Sequence, residues 1–237
     1  MSKPFQFKQF SIEQDQCAMK IGTDGVLLGA WCNIDKGPFA ILDIGAGTGL
    51  IALMVAQRCD AEMIDAIEID GDAYEQCVEN FESSPWADRL YCYHAGLDEF
   101  VDEMEEKYDL IISNPPFYSE EVSSGSNARD MARQNSALPF EDLLDGVSQL
   151  LEDEGIFCTI IPFKEEESFI KLASEFNLFP KRITRVKGNP TSETKRSLLE
   201  FSFSENVMAI GELTIEEQRH QYTPEYIELT KDFYLKM

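Results

Sequence analysis

Apolar and polar positions change period repeatedly along this chain, and each change marks a boundary between a strand and a helix. Phe5, Phe7 and Phe10, set among Gln6, Lys8 and Gln9, predict a short strand or arm rather than a helix. A helix follows over 26–31, with Thr23 or Asp24 as its cap and Asn33, Gly37 and Pro38 closing the unit. The run 39–44 is a continuous apolar strand broken by one acid, Asp43, and it leads through Gly45-Ala46-Gly47-Thr48-Gly49 into a helix over 50–58. Further strands are expected at 62–70, 89–94, 108–112 and 155–161, and helices at 71–81, 140–151 and 164–176. Two late strands, 178–186 and 197–203, flank Gly188-Asn189-Pro190-Thr191-Ser192. An amphipathic segment over 215–235, containing Tyr222, Tyr226 and Tyr234, is expected to pack back on the domain. Strands alternating with helices predict an α/β fold with a doubly wound sheet. The expected organisation is one domain: an arm and cap helix over 1–38, a core over 39–205 and a helical extension over 206–237.

Composition narrows the functions available. No segment approaches the roughly 20 apolar residues of a membrane helix, and the amino terminus carries no signal-like stretch, so a cytoplasmic protein without a membrane partner is expected. The six cysteines form no C-x-x-C pair and read as reduced packing residues, and no metal is expected. His94 and His220 are the only histidines, too few for a His cluster. A monomer is the expected state. The net charge of −24 argues against a protein that coats nucleic acid through a general electrostatic field. That average hides an asymmetry. Residues 60–109 carry 17 acids against Arg89 and Lys107, whereas residues 176–200 carry Lys181, Arg182, Arg185, Lys187, Lys195 and Arg196 against Glu193 and Glu200. The second stretch is a candidate docking patch for a polyanion, which the acidic remainder would orient.

Two loops carry the candidate chemistry. Strand, glycine loop and helix open a nucleotide-binding βαβ unit, in which Gly45, Gly47 and Gly49 let a ligand approach the backbone closely. The spacing is G-x-G-x-G, not the G-x-G-x-x-G of dinucleotide sites, where a pyrophosphate meets the helix amino terminus. Asp43 at the strand end suits a cation instead, and S-adenosylmethionine brings a sulfonium and an ammonium but no phosphate. Glu68 ends the second strand 23 positions after Gly45, where a carboxylate can accept both ribose hydroxyls. Asp70 reads as a cap for the next helix, and Asp98 as either a partner of the adenine amino group or a helix cap. Lys20, Thr23 and Asp24 can reach a ligand from the amino end of the first helix. The second loop is Asn114-Pro115-Pro116-Phe117, closing the apolar run 108–112. Its prolines stiffen the turn, so that an amide and a ring are presented in fixed relation to a flat NH2-bearing group. The polar stretch 118–137 that follows reads as a long loop holding Arg129 and Arg133, which could face a phosphate or pair with Glu120 and Glu121.

The glycine loop, the acid ending strand two and Asn114-Pro115-Pro116-Phe117 together resemble S-adenosylmethionine-dependent methyltransferases acting on exocyclic or amide nitrogens. The run Phe7-Lys8-Gln9-Phe10 through Cys17-Ala18-Met19-Lys20-Ile21-Gly22-Thr23-Asp24-Gly25-Val26-Leu27-Leu28-Gly29-Ala30-Trp31, with Ala128-Arg129 and Lys195-Arg196, is similar to the bacterial tRNA1(Val) (adenine-37-N6)-methyltransferases over nearly the whole chain. That resemblance implies a Rossmann-like, mostly parallel seven-stranded sheet whose seventh strand is antiparallel and inserted between strands five and six. It implies S-adenosylmethionine as cofactor and tRNA as partner, with Asn114, Pro115, Pro116 and Phe117 catalytic. Tyr118, Arg129, Arg133, Lys195 and Arg196 would then meet the substrate. A guanine amino group or a protein glutamine amide would present the same NH2 to Asn114. An NAD-dependent oxidoreductase is disfavoured by the glycine spacing and the lack of a placed Tyr-Lys pair or His, and a non-catalytic binding module is the remaining alternative.

Overall fold

The computed structural model describes residues 3–17, 20–116, 138–205 and 207–237. The arm is a minimal hairpin, β1 (Phe5–Gln6) against β2 (Ser11–Ile12), with Phe7 stacked on Phe10 at 4.7 Å and on Tyr234 at 5.9 Å. Aromatic packing between the two ends of the chain thus holds a segment too short to be stable alone. Helix α1 (Thr23–Trp31) is capped by the backbone of Gly22 with no side-chain bond. Neither Thr23 nor Asp24 is the cap, because Thr23 already lies in the helix and the Asp24 carboxylate is bonded to Arg196 at 2.8 Å.

Next come β3 (Ala40–Ile44), α2 (Leu50–Arg58), β4 (Met63–Glu68), α3 (Gly71–Glu82), β5 (Leu90–His94), α4 (Leu97–Glu103) and β6 (Tyr108–Ser113). Asp70 caps α3 as expected, accepting from the amide of Ala73 at 2.9 Å. The chain continues with α5 (Phe140–Leu150), β7 (Leu151–Pro162), a 3-10 turn (Phe163–Glu165), α6 (Glu166–Glu175), β8 (Phe179–Lys187) and β9 (Thr194–Ser202). It closes with β10 (Ala209–Thr214), β11 (Glu216–Gln218), β12 (Gln221–Tyr222) and α7 (Pro224–Thr230).

The sheet order is β10-β8-β9-β7-β6-β3-β4-β5, parallel except for β9, which runs antiparallel between β7 and β8. This is the expected seven-stranded sheet with an eighth strand, β10, added parallel to the edge strand β8. Alternate residues of each strand face opposite layers. Ile41, Ile64 and Leu110 pack with α1, α2 and α3, while Leu42, Ile67 and Ile111 pack with α4, α5 and α6. The expectation of a helical extension over 206–237 is corrected: among its described residues that segment holds the strand β10, a hairpin and the short helix α7. The break is local, since His220 takes a positive φ of 65° in the hairpin turn and Thr223-Pro224 starts a new helix, with Thr223 accepting from the amide of Tyr226.

Two carboxylates lie inside this sheet. Asp65 is fully buried, with Oδ2 accepting from the Tyr108 hydroxyl at 2.7 Å and no partner for Oδ1 among the described residues. Burial pushes its pKa up to about 6 and that of Asp43 up to about 7, with one hydrogen bond opposing the shift in each case. Unfolded, both ionise near about 4. Their stabilising contribution is therefore fully present below the unfolded value and lost as pH rises through the folded ones. Thermal melts are expected to show stability rising as pH falls from about 8 to about 5.5. Asp65→Asn, which keeps an oxygen for Tyr108, should be more stable than the parent at about pH 8 by about 1 to 3 kcal/mol, with a flatter profile. A variant less stable than the parent at that pH would show that the charge is not the burden.

Candidate active site

Strands β3 and β6 are parallel neighbours, in register at Ile44 and Ser113, so the glycine loop and Asn114 leave the same edge of adjacent strands. The Ser113 hydroxyl donates to the Ile44 carbonyl at 3.0 Å and stitches the two strand ends together where the loops diverge. The crevice between them is the switch point of the sheet, where open α/β folds bind ligands.

The loop is held in shape from three sides. Gly45, Gly47 and Gly49 take φ values of 72°, 56° and 76°, which side chains disfavour. A Cβ at Gly49 would lie 2.5 Å from Cε1 of buried Phe81, so the loop rests directly on α3. At Gly45 and Gly47 a Cβ would meet only open space, the cradle a ligand fills. Glu68, at the end of β4, accepts from the amides of Gly47 at 2.8 Å and Asp70 at 2.9 Å. Burial raises its pKa, against those two bonds. Each oxygen retains capacity for a second donor, such as a ribose hydroxyl.

The cavity measures about 540 Å³ and is lined by Gly45, Gly47, Asn114, Pro115 and Pro116 together with six carboxylates: Glu68, Asp70, Asp98, Asp102, Asp142 and Asp145. No Lys, Arg or His lines it among the described residues. Such a site favours a nucleoside carrying a sulfonium and an ammonium and rejects a pyrophosphate. The charge of this lining suits S-adenosylmethionine better than NAD. Asp98 sits in the first turn of α4, its carboxylate folded over Gly96, where a Cβ would lie 2.7 Å from Oδ1. Asn114 is half-buried at the wall, with no side-chain hydrogen bond among the described residues, and Gly25 of α1 backs it.

Not every expected residue reaches the cavity. Asp43 lies beneath the loop, where Oδ2 accepts from the Ala52 amide at 3.2 Å and braces the start of α2. Lys20 and Thr23 are exposed and Asp24 is paired with Arg196, and none of the three lines the wall. Phe117, Tyr118, Arg129 and Arg133 lie outside the described residues. The expected basic patch is largely neutralised by acids: Lys181 and Arg182 by Glu200, Arg185 by Glu166, Lys187 by Glu212 and Arg196 by Asp24. Lys195 is exposed at its end.

One wall was not anticipated. Residues 13–17 lie as a strap on α3, and Cys17 lines the cavity, its thiol pushed up to about 12 by burial and then by the surrounding acids. Buried Asn80 accepts from the Glu13 amide at 2.8 Å and donates to the carbonyls of Glu13 at 3.0 Å and Thr48 at 2.9 Å, clipping the strap to the glycine loop. Gln76, one helical turn earlier, accepts from the Gln16 amide at 2.8 Å. The usable signal in the sequence is two amides four apart on the face that carries Ala73, Cys77 and Phe81.

The topology and this cavity define an S-adenosylmethionine-dependent, Rossmann-like class I methyltransferase. The fold is similar to that of an Agrobacterium tumefaciens protein described as a predicted O-methyltransferase, with a TM-score of 0.68 at 19% identity, covering 89% of this chain and 96% of that one. A ribosomal protein L11 methylase from Lactobacillus delbrueckii aligns with a TM-score of 0.54 at 15% identity, over 76% of this chain and 77% of that one. Residues 30–138 match the family model for the methyltransferase small domain. A Flavobacterium johnsoniae protein named tRNA1(Val) (adenine(37)-N6)-methyltransferase is 63% identical over 234 residues, 98% of this chain and 100% of its own length. A Bacteroides fragilis protein of the same name is 46% identical over 239 residues, covering 100% of both chains. The chain belongs to the tRNA1(Val) (adenine(37)-N6)-methyltransferase family. Among the described residues no helix is long and apolar enough to cross a membrane, and no cluster of His, Cys, Asp or Glu could hold a metal ion.

Asn80→Ala removes the clip while leaving the cavity carboxylates in place. Titration calorimetry is expected to show S-adenosylmethionine binding weakened about tenfold or more in the folded variant, since three hydrogen bonds, one buried and two partly buried, are lost. Unaltered affinity would show that the strap is no part of the cofactor wall.

Proposed function

We propose that this protein methylates N6 of an adenine in tRNA, adenine 37 in the anticodon loop of tRNA1(Val), as the names of its relatives state for them. The observation that carries the reading is the position of Asn114: an amide on a rigid turn, tied through Ser113 to the glycine loop and facing the acidic cavity. Bound S-adenosylmethionine supplies a methyl group on a cationic sulfur, a strong electrophile. The adenine amino group is a weak nucleophile, its lone pair delocalised into the ring. Asn114 Oδ1 and the Pro115 carbonyl accept its two hydrogens, which localises the lone pair. These bonds strengthen as the nitrogen becomes tetrahedral and cationic, so they favour the transition state over the ground state. No base is needed before attack, and the product nitrogen loses its extra proton to water afterwards.

The base reaches this crevice only when flipped out of the loop stack. Phe117 stacks on it, with Pro116 holding the turn, and Tyr118, Arg129 and Arg133 meet the RNA nearby. Lys195 and Arg196 contact its backbone, and Gly45, Gly47, Glu68 and Asp98 hold the cofactor. The chain works as a monomeric, cytoplasmic, single-domain enzyme.

Asn114→Ala is expected to lower methyl transfer by about 100-fold or more while cofactor affinity stays within about twofold. The assay is mass analysis of nucleosides from unmodified tRNA1(Val) after incubation with isotopically labelled cofactor. Label is expected in N6-methyladenosine at position 37. Label in a methylated guanosine, or full turnover by the variant, would overturn the reading.

A further inference from the structure

Phe163 stands where the sheet meets the acceptor site, yet the chemistry above does not use it. It follows β7 directly, and β7 is the parallel neighbour of β6. Ser113 pairs with Thr159; three residues beyond that pair stand Pro116 on one segment and Pro162 on the other, and Phe163 comes next. Pro162 also pairs with Arg196 of β9, whose guanidinium holds Asp24, the residue before the Gly25 that backs Asn114. Phe163 therefore follows the end of β7 at the ligand edge of the sheet, on the strand next to the one that carries the acceptor turn.

Its environment is built rather than incidental. Phe157, Phe169 and Phe201 are fully buried, whereas Phe163 is 38% exposed. A single exposed apolar side chain is ordinary; one backed by a fixed cation at a binding edge is not. The Arg185 guanidinium lies over the ring, 5.5 Å from its centroid. Glu166 pins that guanidinium at 2.6 Å and also accepts from the Ser197 hydroxyl. The cation cannot follow a mobile partner, so ring and guanidinium form a preset platform. Exposed Lys164, paired with Glu165 at 3.7 Å, is the next residue along the chain, and exposed Lys195 stands on β9 beside Arg196. An aromatic face with cations beside it suits a base and the phosphate attached to it.

We propose that Phe163, backed by Arg185, is a stacking site for a second nucleobase of the RNA, the unpaired nucleotide adjacent to the one methylated. The inference rests on the RNA reading above and extends it: Asn114 takes the target base, and Phe163 fixes its neighbour and so sets the register of the loop. Stacking releases no counterions, so its loss should leave the salt dependence of binding unaltered.

The test uses the full chain and an anticodon-loop RNA carrying 2-aminopurine beside the target adenosine. Binding to the parent protein should change that fluorescence, and Phe163→Ala should abolish the change. KM for the RNA should rise about tenfold or more, while the saturated rate stays within about twofold. Phe163→Leu, which keeps apolar bulk without a flat ring, should behave like Phe163→Ala, and Phe163→Trp should restore both readouts. A parent protein that methylates the RNA, with Phe163→Leu matching it in KM and fluorescence, would overturn the platform alone. A parent protein that neither binds nor methylates the RNA would overturn the platform together with the function.

Discussion

One carboxylate organises the crevice. Glu68 takes the amides of Gly47 and Asp70, joining the loop after β3 to the end of β4, so neither strand end moves without the other. The left-handed glycines let the loop take the shape this clamp requires, and the close seat of Gly49 on Phe81 gives it a floor. On the opposite side the bond from Ser113 to Ile44 attaches the acceptor turn to the same strand. Cofactor pocket and acceptor amide are thus parts of one frame, and methyl transfer depends on their separation more than on any titrating group.

Charge is distributed to match. The chain carries −24 overall, and six of its acids line the cavity, where they favour a cationic cofactor. Most cations of the late strands are spent on acids of neighbouring elements, such as Arg182 on Glu200 and Arg185 on Glu166. Arg182 and Arg196 hold the antiparallel hairpin to α1, and Arg185 holds it to the start of α6. On the proposed reading a polyanion would meet a limited set of contacts at one edge and repulsion elsewhere, an arrangement that orients more than it strengthens binding.

Much of this was legible in the sequence because it is local. The apolar runs of β3, β4 and β6, the start of α2 at Leu50 and the Asp70 cap depend on neighbouring residues alone. The glycine loop, Glu68 and Asn114 could be placed at strand ends for the same reason. What escaped depends on distant partners. β10 is a strand because β8 offers an open edge. Asp24 is taken by Arg196, 172 positions away, and the strap over 13–17 is fixed by amides of α3. Asp43 reads as a ligand contact from spacing alone, but the pleat turns it under the loop toward Ala52. No local pattern encodes such pairings.

Glu68 shapes a pocket for a cationic nucleoside, and the decisive measurement is competition titration of S-adenosylmethionine against NAD on the parent and on Glu68→Gln. A glutamine has one oxygen acceptor where two amides must be held. The parent should bind S-adenosylmethionine without competition from NAD, and Glu68→Gln should bind it at least about tenfold more weakly. Displacement by NAD, or parental affinity in the variant, would show that Glu68 does not set the selectivity of the pocket.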